Sequence, residues 1–195
     1  MQQRSEETRG RILEAALFLF SQSGYDASSV AEICQAAEVS KGAFYHHFPT
    51  KQAVFNTLLN DWLGGLDLQL TALSQKSQPV PDTLIQMAMM TKSVFEAADQ
   101  RLPMFLEFWT QASRDPLVWQ ATIDPYHRYH EFFRILVQQG INEGSFRDED
   151  PTTVAQVIVA MAVGLLLQGL LDSNGANWDL VAQQGMKILL TGLKR

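Results

Sequence analysis

Apolar residues recur along most of this chain with the spacing of one helix face. Near the N-terminus they follow the pattern i, i+3, i+4, i+7 and i+8, at Ile12, Ala15, Ala16, Leu19 and Phe20. A period of about 3.6 residues is typical of an amphipathic helix, whereas half-buried strands alternate with a period of two. No stretch of this sequence alternates in that way over a useful length. The pattern therefore predicts an all-α fold of about nine helices.

Residues that favour helix ends divide the first part of the chain into short helices. Gly24 suits the position just after the first helix, where a left-handed residue closes the last turn. Ser29 and Glu32 have the spacing of a capping box, which predicts a second helix that begins at about Val30. Ser40 is a candidate N-cap for a third helix.

The third and fourth helices are separated by a proline. Phe44 and Phe48 stand four residues apart on the third helix, so we expect both side chains in the core. Pro49 ends this helix, and Thr50 is the candidate N-cap of a fourth helix that continues to about residue 73. Beyond it, residues 74–81 are rich in Ser, Gln and Pro and form the clearest linker in the chain.

Composition describes a folded protein of a reducing compartment. The chain has 195 residues, of which 46% are hydrophobic and 18% are charged, as in ordinary globular domains. Its single cysteine, Cys34, excludes an intramolecular disulfide. The first eleven residues are polar and charged, without the apolar stretch of a secretion signal. We therefore expect a cytoplasmic protein.

Charge alone does not predict nucleic-acid binding. The formal net charge is −6, and residues 1–51 carry five Lys/Arg against six Asp/Glu. Phosphate contacts supply most of the non-specific affinity for DNA, so an acidic chain is not an obvious DNA-binding protein. Support for DNA binding has to come from the geometry of a motif.

The helices predicted up to residue 50 provide such a motif. A short second and third helix joined by a tight turn are typical of a helix-turn-helix. The third would be the recognition helix, with its N-terminal residues against base edges in the major groove. Gly42 would let the backbone approach the duplex closely, and Lys41 and Lys51 could contact phosphates. Tyr45, His46 and His47 offer hydrogen-bond donors on flat rings.

This motif resembles the TetR family of transcriptional regulators, named for the tetracycline repressor. The resemblance extends over about residues 8–58 and rests on Gly24-Tyr25, Ser29-Val30-Ala31-Glu32-Ile33, Ala37 and Val39-Ser40-Lys41-Gly42-Ala43-Phe44-Tyr45-His46-His47-Phe48-Pro49-Thr50-Lys51. His46 stands where the family often has a second tyrosine. The residues expected at DNA are Ser29, Ser40, Lys41, Gly42, Ala43, Tyr45, His46, His47, Thr50 and Lys51.

The resemblance also implies a domain organisation and partners. Residues 1–50 would bind a double-stranded operator, and residues 51–195 would bind an effector and form a homodimer. Such proteins are usually repressors, although the sequence alone leaves activation open. An effector would release the operator.

Residues 83–143 are rich in aromatic side chains and methionine. For any one of them a core position is the commoner outcome, but such residues also line apolar pockets between helices. The resemblance implies a pocket for a small, largely apolar ligand here. Its candidate residues are Met87, Phe105, Trp109, Tyr126, Tyr129, His130 and Phe133.

Other classes of function have less support. His127 and His130 have a spacing that can hold a metal, but no third ligand stands at a defined spacing, so we expect no metal. We find no nucleophile elbow and no phosphate-binding glycine loop, so we expect neither an enzyme nor a cofactor. A carrier with an apolar pocket would leave the motif at residues 29–51 unexplained.

One segment near the C-terminus is apolar enough to raise the question of a membrane. Residues 154–171 carry no charge, but their flanks are acidic rather than rich in Lys and Arg. A helix that is apolar nearly all round can instead be buried by a partner. Ala160 and Gly164 would permit close approach. We therefore expect a dimer interface within residues 151–194 and no membrane span.

Overall fold

The structure, a computed structural model, describes residues 2–90, 110–114, 116–172 and 174–194. Within these ranges the chain forms eight helices: α1 (Gln2–Ser23), α2 (Val30–Ala36), α3 (Lys41–His47), α4 (Lys51–Ser74), α5 (Val80–Met89), α6 (Pro116–Asn142), α7 (Pro151–Leu171) and α8 (Trp178–Leu193). The only β-type pairing in them is an isolated antiparallel bridge between Phe146 and Lys194. The predicted all-α fold is confirmed.

The predicted helix caps form with the expected geometry. The Ser29 hydroxyl accepts the backbone N–H of Glu32 at 3.2 Å, and the Glu32 carboxylate accepts the N–H of Ser29 at 2.7 Å. This reciprocal pair is the capping box of α2. Ser40 and Thr50 each accept a backbone N–H three residues further on, at 3.1 and 3.0 Å. They start α3 and α4 where the sequence predicted.

The chain folds into two compact units. The first unit contains Met1–Gly65 and Ala98–Ala121, and the second contains Leu66–Ala97 and Thr122–Arg195. Helix α4 contributes its first turns to the first unit and its last turns to the second. The sequence predicted a boundary at residue 50 between a DNA-binding part and an effector-binding part. That boundary describes function rather than packing, and it stays a prediction.

The first unit has an aromatic core. Phe20 of the predicted α1 stripe is buried, as are Phe44 of α3 and Phe48, the residue directly after α3. The rings of Phe20 and Phe55 pack edge to face with centroids 5.7 Å apart, and Tyr25 lies 4.9 Å from Phe55. Phe44 and Phe48 both face inward, and Tyr45 and His46 between them face outward.

The core of the second unit joins α5, α6, α7 and α8. Leu84, Val137 and Ile158 are fully or nearly fully buried there. Phe146 follows α6 and packs so closely on it that a Cβ added at Gly140 would overlap its ring. This close approach explains a glycine inside α6, where the residue is otherwise unfavourable.

Helix α7 combines two environments. By length and composition it could span a membrane, but the core helix of a soluble protein has the same properties. One face of α7, with Val154, Ile158 and Leu165, is buried in the second unit. Other apolar residues of α7, namely Val157, Leu167 and Leu171, are exposed.

Candidate nucleic-acid interface and effector region

The outward face of α3 is polar and accessible. Lys41, Gly42, Tyr45 and His46 are exposed, whereas Ala43 and His47 are half-buried. The Tyr45 ring is 54% exposed and packs edge-on against Phe44 at 5.3 Å. The helix therefore presents a cation and hydrogen-bond donors on a surface held by a buried aromatic residue.

Gly42 lies in open space at the second position of α3. A Cβ added there would meet nothing closer than the Ser40 hydroxyl, at 3.8 Å, which is ordinary van der Waals contact. Packing within the protein therefore does not require glycine at this position. A partner that approaches the backbone closely would require it.

The three predicted hydroxyl residues lie at helix starts. Ser29, Ser40 and Thr50 are all exposed, and each side-chain oxygen accepts a backbone N–H. A hydroxyl that accepts one hydrogen bond can still donate its own proton. Each residue could therefore cap its helix and also donate to a phosphate oxygen.

A lysine that contacts a phosphate is expected to be exposed, but Lys51 lies in a half-buried environment. Its side chain is half-buried, and its Nζ donates to the carbonyl oxygens of Tyr25 at 2.6 Å and Ser28 at 2.8 Å. The ammonium also lies 4.0 Å from the centroid of the Tyr25 ring. The phosphate contact predicted for Lys51 stays a prediction.

Arg9 was not singled out by the sequence. Its guanidinium carbon lies 5.4 Å from the centroid of the Phe48 ring, in cation–π geometry. This contact joins α1 to the residue that ends α3. The sequence shows a cluster of arginines near the chain start, but not which aromatic ring one of them covers.

Two titratable groups in the first unit have shifted pKa values. Hydrogen bonds from Ser29 hold the pKa of Glu32 below its usual value, and the positive charge of Lys51 acts in the same direction. Burial raises the pKa of the Cys34 thiol. A buried protonated thiol is a poor nucleophile, so Cys34 serves as a core residue.

Some predicted effector residues belong to the core of the second unit. Met87 and Phe133 are buried in it, and Tyr129 packs against it. Burial raises the pKa of Tyr129, and a hydrogen bond to the Asp67 carboxylate adds to the shift. The same carboxylate pairs with Arg128 at 3.2 Å. Two further candidates, Phe105 and Trp109, lie outside the described residues.

Tyr126 and His130 form a second group on α6. Their rings pack edge to face with centroids 4.2 Å apart, and Tyr126 is exposed. Burial lowers the pKa of His130, and the nearby His127 adds to the effect. Among the described residues, His130 Nε2 is the one buried side-chain polar atom without a hydrogen-bond partner. In the same ranges no three His, Cys, Asp or Glu side chains come together as a metal site.

An apolar face lies on α7 and α8. Its exposed residues are Val157, Leu167, Leu171, Leu180, Val181 and Ile188. A Cβ added at Gly164 would meet no atom within 4 Å, so this part of α7 is open. Large apolar side chains concentrated on one surface mark a site of interaction.

Two family profiles match the chain. The profile described as "Bacterial regulatory proteins, tetR family" matches residues 12–58. The profile described as "BetI-type transcriptional repressor, C-terminal" matches residues 87–191, more than half of the chain. The first match contains α2 and α3, and the second contains the predicted effector residues and the apolar face.

Individual relatives extend over nearly the whole chain. The transcriptional regulator UidR of Escherichia coli K12 is 24% identical over 99% of this chain and 96% of its own length. The transcriptional repressor KstR2 of Rhodococcus jostii is 21% identical, over 95% and 90%. A transcriptional regulator from Saccharomonospora viridis, solved in complex with choline, is 22% identical and superposes with a TM-score of 0.83 over 97% of this chain and 100% of that one.

Proposed function

Because this chain belongs to the TetR family of bacterial transcriptional regulators, we propose that it is a cytoplasmic repressor of transcription. It binds an inverted-repeat operator as a homodimer and releases it when a small, largely apolar effector binds. The observation that carries the proposal is the outward face of α3, where Lys41, Tyr45 and His46 are exposed beside an unobstructed Gly42.

The proposed interface uses α3 in the major groove and helix starts at phosphates. Lys41 contributes charge, and Tyr45, His46 and His47 contribute donors towards base edges or phosphates. Ala43 keeps the surface between them small. Ser29, Ser40 and Thr50 lie at helix N-termini, which favour phosphate oxygens.

Close approach of the α3 backbone to DNA can be tested at Gly42. Gly42→Leu should fold, since the position is open and leucine favours helix more than glycine does. A bulky side chain there should weaken binding to a duplex from the gene's own upstream region by at least about 100-fold, because it prevents specific docking and leaves only non-specific binding. Fluorescence anisotropy measures the affinity, and circular dichroism measures the fold.

Gly65→Leu is the matched control. Gly65 is also an exposed helical glycine of the first unit with nothing within 4 Å of an added Cβ. It lies on α4, far along the chain from α3, so its replacement should leave DNA affinity unchanged. Equal affinities for both variants and the wild type would remove α3 from the interface.

Dimerisation is proposed through the apolar face of α7 and α8. Leu171 is 73% exposed and Ile188 is 74% exposed, which is unfavourable in water unless a partner covers them. Two copies of the helix pair would form a four-helix interface with two-fold symmetry. An operator with inverted half-sites follows from that symmetry.

The effector is proposed to bind in the second unit. Support comes from Tyr126 and His130, which combine ring surface with a buried unpaired nitrogen, and from the choline bound by the Saccharomonospora viridis regulator. Choline has a cationic head with apolar methyl groups, which aromatic rings can bind. A coupling of about 1–3 kcal/mol between effector and operator would be ordinary, and it acts equally in both directions.

A further inference from the structure

Resting on this DNA-binding function, we propose that Lys51 is a positioning residue. Its ammonium holds the turn before α2 against the start of α4, and thereby sets how α2 and α3 are presented to DNA. In this role Lys51 acts through protein carbonyl groups rather than through a phosphate.

The ammonium of Lys51 bridges two carbonyl oxygens of one turn. It donates to Tyr25 at 2.6 Å and to Ser28 at 2.8 Å. The same turn is closed by the backbone bond from the N–H of Ser28 to the carbonyl of Tyr25, at 3.3 Å. A hydrogen bond with a charged donor is roughly twice as strong as a neutral one. The lysine is therefore a strong link between this turn and α4.

Tyr25 is held by α4 at its other end as well. Its hydroxyl donates to the side-chain oxygen of Gln52 at 2.8 Å, and Gln52 in turn donates to Asn56 at 2.9 Å. The ring lies under the Lys51 ammonium and against Phe55. Two successive residues of α4 thus bind the backbone, the ring and the hydroxyl of one tyrosine.

The turn that Lys51 holds lies directly before α2, so this contact affects the position of α2. Ser28 immediately precedes Ser29, whose side chain and backbone form the capping box of α2. Helix α2 connects to α3 through a turn of four residues, 37–40. A change in the distance between Lys51 and Ser28 would therefore move the start of α2, and with it α3. Since α4 continues into the second unit, the same contact lies on the chain path between the effector region and DNA.

A phosphate contact would compete with this arrangement. To reach DNA, the ammonium would have to leave two carbonyl oxygens in a half-buried turn, and hydrogen bonds with a charged donor are among the stronger ones in proteins. Lys41 is exposed, and among the described residues no hydrogen bond holds its ammonium in this way. The two lysines therefore have separate roles, with Lys41 at the phosphates and Lys51 at the turn.

Lys51→Met tests the assignment, because methionine keeps the aliphatic chain and removes the donors. Hydrogen exchange of the free protein should show the amides of α2 exchanging about tenfold faster, while those of α7 stay unchanged. Affinity for the upstream duplex should fall about tenfold. The slope of log affinity against log salt concentration should stay the same, because no phosphate contact has been lost.

Lys41→Met is the matched control, with the opposite signature. It should lower the salt slope by about one and leave α2 exchange unchanged. Wild-type exchange of α2 in Lys51→Met overturns the inference, and so does a salt slope lowered by one. Lys51→Leu, which also lacks a donor and is judged by the same outcomes, replaces the methionine variant if that one does not fold.

Binding of the wild-type protein to DNA tests the DNA-binding function separately from the role of Lys51. If the wild type binds the upstream duplex no better than a duplex of scrambled sequence, the proposed function fails at that operator. Hydrogen exchange of the free protein needs no DNA. It therefore still decides whether Lys51 holds the start of α2.

Discussion

The outward face of α3 and the outward face of α7 and α8 are both exposed, but they differ in chemistry. Helix α3 shows Lys41, Tyr45 and His46 around a glycine. The other surface shows leucine, valine and isoleucine, with Leu171 and Ile188 each nearly three-quarters exposed. Polar side chains are stable in water without a partner, whereas clustered apolar side chains are not.

This difference decides what each surface reveals. The apolar face of α7 and α8 indicates a site of interaction by its exposure alone, and in the proposed dimer a second copy of the same helix pair covers it. Exposure of α3 carries no such information. The DNA contact proposed for α3 rests instead on the order of residue types in the motif, and on a glycine that the fold itself does not need.

The largest effect is expected from a charge in the apolar face. Ile188→Glu should convert the dimer to monomers, because a carboxylate buried without a partner costs several kcal/mol. Loss of the second DNA-binding unit should then lower operator affinity by about 100-fold or more. Analytical ultracentrifugation measures the mass, and anisotropy with the upstream duplex measures the affinity.

Ile135→Glu controls for the chemistry of that change. Ile135 is also an exposed isoleucine, with 55% of its surface accessible. It lies on α6, however, in an open groove with Arg134 and Gln138. Its replacement should leave both mass and affinity unchanged. A dimeric Ile188→Glu protein would show that α8 does not form the interface.

The next largest effect is expected from a change in the packing of the second unit that leaves its surface unaltered. Gly140→Ala should lower the free energy of unfolding by about 1–3 kcal/mol, because the added Cβ overlaps the buried Phe146 ring. The apolar face is untouched, so the protein should remain a dimer at temperatures where it is folded. Thermal unfolding at fixed protein concentration measures the loss of stability. Unchanged stability would mean that Phe146 can move away at little cost.

Local chemistry made much of the first unit predictable. Ser29, Ser40 and Thr50 cap their helices because the partners lie three residues away in sequence, within reach of a short-range rule. Phe44 and Phe48 are buried because a spacing of four places them on one helix face. The resemblance to the TetR family, carried by the same residues, is confirmed.

Contacts between distant residues could not be predicted in this way. The hydrogen bonds of Lys51 depend on where the Tyr25 turn lies relative to α4, which no local spacing specifies. The place of Arg9 over Phe48 and the contact of Gly140 with Phe146 have the same origin. Among the effector candidates, an aromatic residue in a core and one in a pocket have the same sequence pattern.

The smallest effect concerns the backbone at two helix ends, one in each unit. Glu38 follows α2 with φ 53°, and Gly144 follows α6 with φ 82°. Both φ values belong to the left-handed region, which costs a residue with a Cβ about 1–2 kcal/mol and costs glycine nothing. The first unit therefore carries strain at the turn between α2 and α3, and the second unit avoids it.

Exchanging the residue types should shift stability in opposite directions. Glu38→Gly should raise the free energy of unfolding by about 0.5–1 kcal/mol. Glycine relieves the backbone strain of the folded protein, but its greater entropy in the unfolded chain offsets part of that gain. Gly144→Ala should lower the free energy of unfolding by about 1 kcal/mol, although an added Cβ meets no atom there. Denaturant midpoints at constant m-value measure both changes. Shifts of the same sign would show that contacts of the Glu38 side chain, rather than its backbone, decide stability at the turn before α3.

Operator affinity of Glu38→Gly should stay within about twofold of the wild type, since Val39 still donates to the carbonyl of Cys34 at 3.0 Å and keeps the turn closed.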